Sequence, residues 1–120
     1  MEFKEKQSIY LQIGDHICEN ILAGIWSEGE KIPSTRELAA EIEVNPNTVV
    51  RTFSYLEDMG VILKKRGIGY FVTETAEGII LKKKKKNFIK LQLPNIFKTM
   101  DLLKISRADL ERLHEEYEKK

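Results

Sequence analysis

Residues 44–60 read VNPNTVVRTFSYLEDMG, and this stretch decides the fold. Asn45 suits a helix cap, because its side-chain oxygen can accept from one of the first free backbone N–H groups. Pro46 follows at the first helical position, where its missing N–H costs nothing and its fixed φ suits the helix. Gly60 supplies the left-handed residue that ends it. Val49, Phe53, Leu56 and Met59 recur at spacings of four, three and three, which marks a buried stripe with Thr52 half-buried beside it. The opposite face carries Asn47, Val50, Arg51 and Ser54, with Thr48 at its edge. A solvated face more often holds Glu and Lys, which are better helix formers. Amides that pair with adenine, an Arg for guanine and an aliphatic for a thymine methyl suit base edges instead. A solvent face of indifferent composition is the plain alternative, and this helix alone does not choose.

Working upstream, KIPSTRELAAEI (31–42) announces a shorter helix. Ser34 and Glu37 have capping-box spacing, and Leu38, Ala39 and Ile42 form its apolar face. Arg36 in the first turn opposes the helix dipole, at a cost of roughly 0.3–1 kcal/mol. Free N–H groups with an Arg beside them, however, suit a phosphate. Only Glu43 and Val44 separate this helix from the Asn45 cap, so the pair reads as a helix-turn-helix, with a generic helical corner as the alternative. Earlier still, Ile9 to Ala23 forms a first helix capped by Ser8 and ended by Gly24. Tyr10, Ile13, Ile17 and Ile21 form its inward stripe, and Ile25 and Trp26 close the core beneath. His16 and Cys18 lie on different helix faces and do not make a metal pair, so Cys18 is expected in the core and His16 at the surface.

Downstream, Val61 to Lys65 and Tyr70 to Val72 are β-prone, and Arg66-Gly67-Ile68-Gly69 supplies the turn. The hairpin carries Lys64, Lys65 and Arg66 at its tip, within reach of a DNA backbone or minor groove. Such lysines are usually just solvated; a helix-turn-helix on the same face favours contact. Gly67-x-Gly69 is not a dinucleotide fingerprint, since it lacks a third glycine and a following helix.

The chain has 120 residues, 42% hydrophobic and 32% charged, which describes one folded domain with an appendage rather than a disordered chain. No apolar run could span a bilayer, and the opening MEFKEKQSIY shows no signal-peptide core, so the expected location is cytoplasmic, without a membrane partner. A single cysteine excludes an internal disulfide framework. The net charge of +1 is unevenly spread: residues 1–75 hold 8 Lys/Arg against 12 Asp/Glu (net −4), and residues 76–120 hold 12 against 7 (net +5). An acidic head is unusual for a DNA binder. Five of its eight basic residues (Arg36, Arg51, Lys64, Lys65 and Arg66) nevertheless fall in elements placed on one surface.

The stretch GEKIPSTRELAAEIEVNPNTVVRTFSYLEDMGVILKKRGIGYFV resembles the winged helix-turn-helix of GntR-family bacterial transcription regulators. The likeness covers residues 8–72. It is carried by Pro33-Ser34, Arg36-Glu37-Leu38-Ala39, Val44, Thr48-Val49, Leu56, Gly60, Ile62, Gly67, Gly69, Phe71 and Val72 as a co-spaced set. It implies phosphate contacts from Ser34, Thr35 and Arg36, helix contacts from Asn45, Asn47, Thr48 and Arg51, and wing contacts near Gly67. Two positions depart from the family pattern. Val50 stands where many members carry an Arg used on DNA, with Arg51 following, and Thr52 stands where Ala is usual. The first implies an altered base preference and the second a different packing. NPNTVVR in this form resembles the small YtrA-like branch.

After the wing, TAEGIILKKKKKNFIKLQLPNIFKTMDLL (75–103) reads as mostly helical, with Ile89, Leu93, Ile96, Met100 and Leu103 in a stripe and Pro94 kinking or dividing it. KISRADLERLHEEYEKK (104–120) is a final helix with Ser106 and Asp109 in capping-box spacing and Leu110, Leu113 and Tyr117 on one side. His114 is expected at the surface. Residues 76–120 are too few for a separate pocketed domain. Two amphipathic helices without a sheet bury their faces best against a second copy, and in the YtrA-like branch such a tail serves dimerisation. The lysines at 82–86 go right round a helix and cannot all face one phosphate row.

The expected fold is therefore α+β, mainly α: a winged helix-turn-helix of three helices and a two-stranded wing (1–75), followed by a helical dimerisation tail (76–120). The expected function is a homodimeric transcription regulator, a repressor by family habit. It would bind a palindromic operator in double-stranded DNA through helix 45–59 in the major groove and the basic wing 64–69. The competing class is a winged-helix protein-interaction adaptor without DNA binding, favoured by the acidic head. No nucleophile–base pair, metal cluster or phosphate loop suggests an enzyme, and no cofactor or metal is implied. The sequence names no effector.

Overall fold

The computed structural model describes residues 1, 3 and 7–120. The chain packs as two units, Met1–Lys82 and Lys83–Lys120. In the first, α1 (Ile9–Leu22), α2 (Thr35–Ile42) and α3 (Pro46–Met59) are followed by the antiparallel strands β1 (Ile62–Lys65) and β2 (Gly69–Val72) and the start of α4 (Ala76–Asn87). The architecture is a mostly helical fold with a two-stranded wing, as the sequence predicts.

The core forms where the apolar stripes meet: Ile13, Ile17 and Ile21 of α1, Leu38 and Ala39 of α2, Val49, Phe53 and Leu56 of α3, and Val61, Ile62 and Val72 of the wing. Ala76 and Ile80 of α4 are buried with them, and Met59 packs at the margin. Three local expectations need correction. Thr52 is fully buried rather than half-buried, because its hydroxyl reaches the carbonyls of Tyr10 (2.8 Å) and Thr48 (3.1 Å) and so is satisfied out of water. Ile25 is exposed and only Trp26 packs on the core, since the chain turns outward at Gly24 (φ 78°). Ser8 occupies the cap position of α1, but its side chain makes no cap hydrogen bond.

The turn between α2 and α3 is as tight as expected. Glu43 adopts a left-handed conformation (φ 56°), and Glu43 and Val44 both donate their N–H to the Ala39 carbonyl. Asn45 caps α3 by accepting from Asn47 N–H at 2.8 Å, and Gly60 ends it at φ 83°. The Thr73 hydroxyl then fastens the exit of α3, donating to the Gly60 carbonyl at 2.6 Å. At the outer edge of β2, Ile32 N–H donates to Tyr70 O and Val72 N–H to Glu30 O, so segment 30–32 covers the wing's free edge.

The second unit holds the end of α4, a π-helical turn (Phe88–Gln92), α5 (Leu93–Leu103) and α6 (Arg107–Glu118). Pro94 divides α4 from α5 through that turn rather than through a break. Leu93 N–H bonds Phe88 O five residues back, and the wider turn makes room for the ring that would otherwise strike the carbonyl four residues before it. Ser106 and Asp109 form the expected capping box at 3.0 Å each way. No residue of the π turn, α5 or α6 is buried.

Gly60 tests this packing, because a Cβ there would combine a left-handed backbone with a contact of 3.3 Å to Ile79 Cδ1. Gly60→Ala is expected to lower unfolding free energy by about 1–2 kcal/mol in urea denaturation.

Candidate nucleic-acid interface

With Val49, Thr52, Phe53 and Leu56 buried, α3 leaves Asn47, Val50, Arg51 and Ser54 exposed and Thr48 half-buried at their edge. The face is made of the side chains that the sequence singled out, but they are not equivalent. The Asn45 side-chain oxygen Oδ1 is engaged in the cap, so its side-chain N–H groups are what it offers outward. The Asn47 side chain carries no such duty among the described residues and keeps both halves of its amide edge. The Arg51 guanidinium lies over the Tyr10 ring, 3.9 Å from its centroid. Val50 is 48% exposed, an aliphatic group in the middle of a polar surface.

At the start of α2, the Ser34 oxygen accepts from Glu37 N–H, and Ser34 N–H donates to the Glu37 carboxylate, both at 3.1 Å. The capping box leaves the Ser34 hydroxyl hydrogen for an outside acceptor. Thr35 is half-buried and Arg36 exposed beside it. The hydrogen bonds from the Ser34 backbone and side chain hold the Glu37 carboxyl below its ordinary value, with the charge of Lys31 adding to them. The dipole of α2 is thus already met by one carboxylate, and Arg36 offsets that charge toward an incoming phosphate.

On the wing, Lys64 pairs with Tyr70 and Lys65 with Gly69 across the strands, and Arg66 and Gly67 follow in the turn. Successive strand residues leave on opposite faces. Lys64 therefore shares the face of buried Ile62 and approaches the Tyr70 ring at 5.8 Å, while Lys65 lies over Phe71 at 4.4 Å on the other face. Burial pushes the Tyr70 phenol above its ordinary pKa, and the Glu57 carboxylate adds to the shift. One basic residue escaped the sequence reading. Lys31 bridges to Phe71, and a Cβ placed on Gly69 (φ 142°) would come within 2.8 Å of Lys31 Cε. The second glycine of the turn is thus the space through which Lys31 crosses the wing, a role that spacing along the chain does not reveal.

These elements match known proteins. The sequence pattern of "Bacterial regulatory proteins, gntR family" matches residues 9–72. The chain belongs to the GntR family. Among its relatives, the uncharacterised regulator YhcF of Bacillus subtilis is 35% identical over 91% of this chain and 88% of its own. The transcriptional repressor YtrA of the same organism is 38% identical over 89% and 79%. A GntR-family regulator of Bacteroides thetaiotaomicron, solved by crystallography, superposes with a TM-score of 0.76 at 40% identity, covering 93% of this chain and 97% of that one. The DNA-binding domain of AraR in complex with its operator ORR3 superposes at 0.55 with 25% identity over 61% and 88%. The GntR chain described here is a DNA-binding transcription regulator similar to the YtrA type, which sets the adaptor alternative aside. Among its described residues no helix is long and apolar enough to cross a membrane.

A depressed pKa in the folded state means that the Glu37 cap stabilises α2 above the ordinary carboxylate range and is lost as pH falls through the folded value. Replacing Glu37 with Gln is therefore expected to flatten the acid limb of stability against pH, read from urea midpoints between about pH 3 and 6.

Proposed function

We propose that the protein is a homodimeric repressor that binds an inverted-repeat operator, with α3 in the major groove and the wing on the flanking backbone. The observation that supports this is the division of α3. One face is buried through Val49, Thr52, Phe53 and Leu56, and the other exposes Asn47, Val50, Arg51 and Ser54, of which Arg51 lies over the Tyr10 ring. Asn47 offers a bidentate edge to adenine, Arg51 two parallel donors to guanine, and Val50 a surface for a thymine methyl. Ser34, Thr35 and Arg36 at the start of α2, with Asn45 and Thr48 at the start of α3, are assigned to phosphates, which fix the register. Lys64, Lys65, Arg66 and Gly67 are assigned to the wing contact; since the two lysines leave on opposite faces, they address different phosphates. The repressor assignment follows the name of the YtrA relative. Cytoplasmic action and the division of labour between 1–75 and 76–120 belong to the same proposal.

Dimerisation is assigned to the tail. Leu93 and Met100 are half-buried, whereas Ile89, Ile96, Leu103, Leu110, Leu113 and Tyr117 are exposed in the single chain, with Phe88, Phe97 and Leu102 adding to the apolar surface. A two-fold pairing through these side chains would set two recognition helices about one DNA turn apart, roughly 34–36 Å.

Selection from random duplex DNA tests the reading. An inverted repeat with a steep loss of affinity on raising salt is expected, whereas no enrichment at low salt by the folded protein would overturn it. On the selected site, Arg51→Ala is expected to cost about 1–3 kcal/mol and to relax specificity at one position, while Lys65→Ala lowers the salt slope by about 1. Ile96→Glu with Leu113→Glu is expected to yield monomers in sedimentation analysis and to weaken operator binding. An unchanged dimer would remove the tail from the interface.

A further inference from the structure

We infer that Tyr10, on α1, is a positioning residue for Arg51, holding the guanidinium where it can present its edge to DNA. The inference rests on the reading of α3 as the helix that enters the groove. Arg51 Cζ stands 3.9 Å from the centre of the Tyr10 ring. A guanidinium held over an aromatic face is ordered by a contact that needs none of its N–H donors as hydrogen bonds, and those are the groups that fork onto a base or phosphate. Among the described residues no carboxylate pairs with Arg51, so the ring orders the side chain without consuming its donors.

Tyr10 is itself held. Its carbonyl accepts the buried Thr52 hydroxyl at 2.8 Å, and its ring meets the Tyr55 ring edge-on at 6.1 Å and 85°. Gly14 lies in this contact too, its Cβ position in ordinary van der Waals reach of Tyr55 (3.4 Å) and the Thr52 methyl (3.7 Å). Thr52 follows Arg51 directly in α3, so the bond that fixes the backbone of Tyr10 is made by the neighbour of the side chain that its ring supports. Alanine at position 52 could not form it. Thr52 thus holds the residue whose ring lies beneath its neighbour Arg51.

The experiment uses the full chain and the selected operator with its single-base variants, measured by fluorescence anisotropy. Tyr10→Leu is expected to weaken the best site about five-fold and to flatten discrimination at the base pairs that Arg51→Ala also flattens. Tyr10→Phe keeps the ring and should stay near wild type. In an Arg51→Ala background, Tyr10→Leu should add nothing. An equal loss in both backgrounds would overturn the inference by making Tyr10 a DNA contact or a merely structural residue. A silent Tyr10→Leu beside a damaging Arg51→Ala would overturn it alone, whereas a silent Arg51→Ala would remove the underlying reading as well. Should Tyr10→Leu fail to fold, the ring-current displacement of the Arg51 side-chain protons in the wild-type complex decides. Its persistence on DNA supports the inference, and its disappearance overturns it.

Discussion

The arrangement depends on Phe53. Its ring is wholly buried in α3 and meets the Tyr70 ring of β2 edge-on, with centroids 4.8 Å apart. This contact couples the helix assigned to the groove to the wing assigned to the backbone, so that neither can tilt without disturbing the other. An edge-to-face pair adds about 0.5–1.5 kcal/mol beyond its burial, and it fixes orientation as well as separation. Because tertiary burial stabilises α3, its outer face is released from helix propensity. That is why a run containing Asn47, Thr48 and Val50 is affordable there, and why the composition of the face can be set by what it must touch.

Charge follows the same logic of placement over totals. Residues 1–75 carry a net −4, yet their described basic groups gather at the start of α2, on α3 and on the wing. Lys31 joins them by crossing Gly69. Fields at the distances of a protein–DNA contact are decided by the nearest charges, since salt screens beyond about 8–10 Å. On the proposed reading, an acidic remainder farther than that from the DNA costs little affinity.

What the sequence revealed and what it hid divide by the range of the interaction. The cap at Asn45, the capping boxes at Ser34 and Ser106, and the left-handed Gly60 involve partners a few residues apart, and each is where the pattern puts it. The stripe through Val49, Phe53 and Leu56 was legible because a helix converts spacing into direction. The burial of Thr52 was not, because its partner Tyr10 is 42 residues away. Nor was the inclusion of Ala76 and Ile80 in the first unit's core, since the lysines beside them mask any apolar period. The π turn escaped for a related reason: periodicity presumes a constant turn, whereas Pro94 alters it locally. For the proposed DNA contacts, the sequence supplied the residue types, and the geometry separates them by which groups are already engaged, as the cap oxygen of Asn45 is.

The second unit gives the physical argument for pairing. Two helices of this size cannot bury enough surface on their own to offset the ordering of their backbone, and here α5 and α6 bury no residue at all. Their apolar side chains nevertheless recur along each helix, and an αL turn at Lys104 joins the two, with Ile105 N–H held by Met100 O at 2.9 Å. Such a face is unfavourable in water, and on our proposal a second copy covers it in an isologous contact. On our proposal, folding of the tail and dimerisation are one event. Every residue that closes that interface then also sets the spacing of the two recognition helices, so operator spacing becomes a property of the tail's packing rather than of the DNA-reading face.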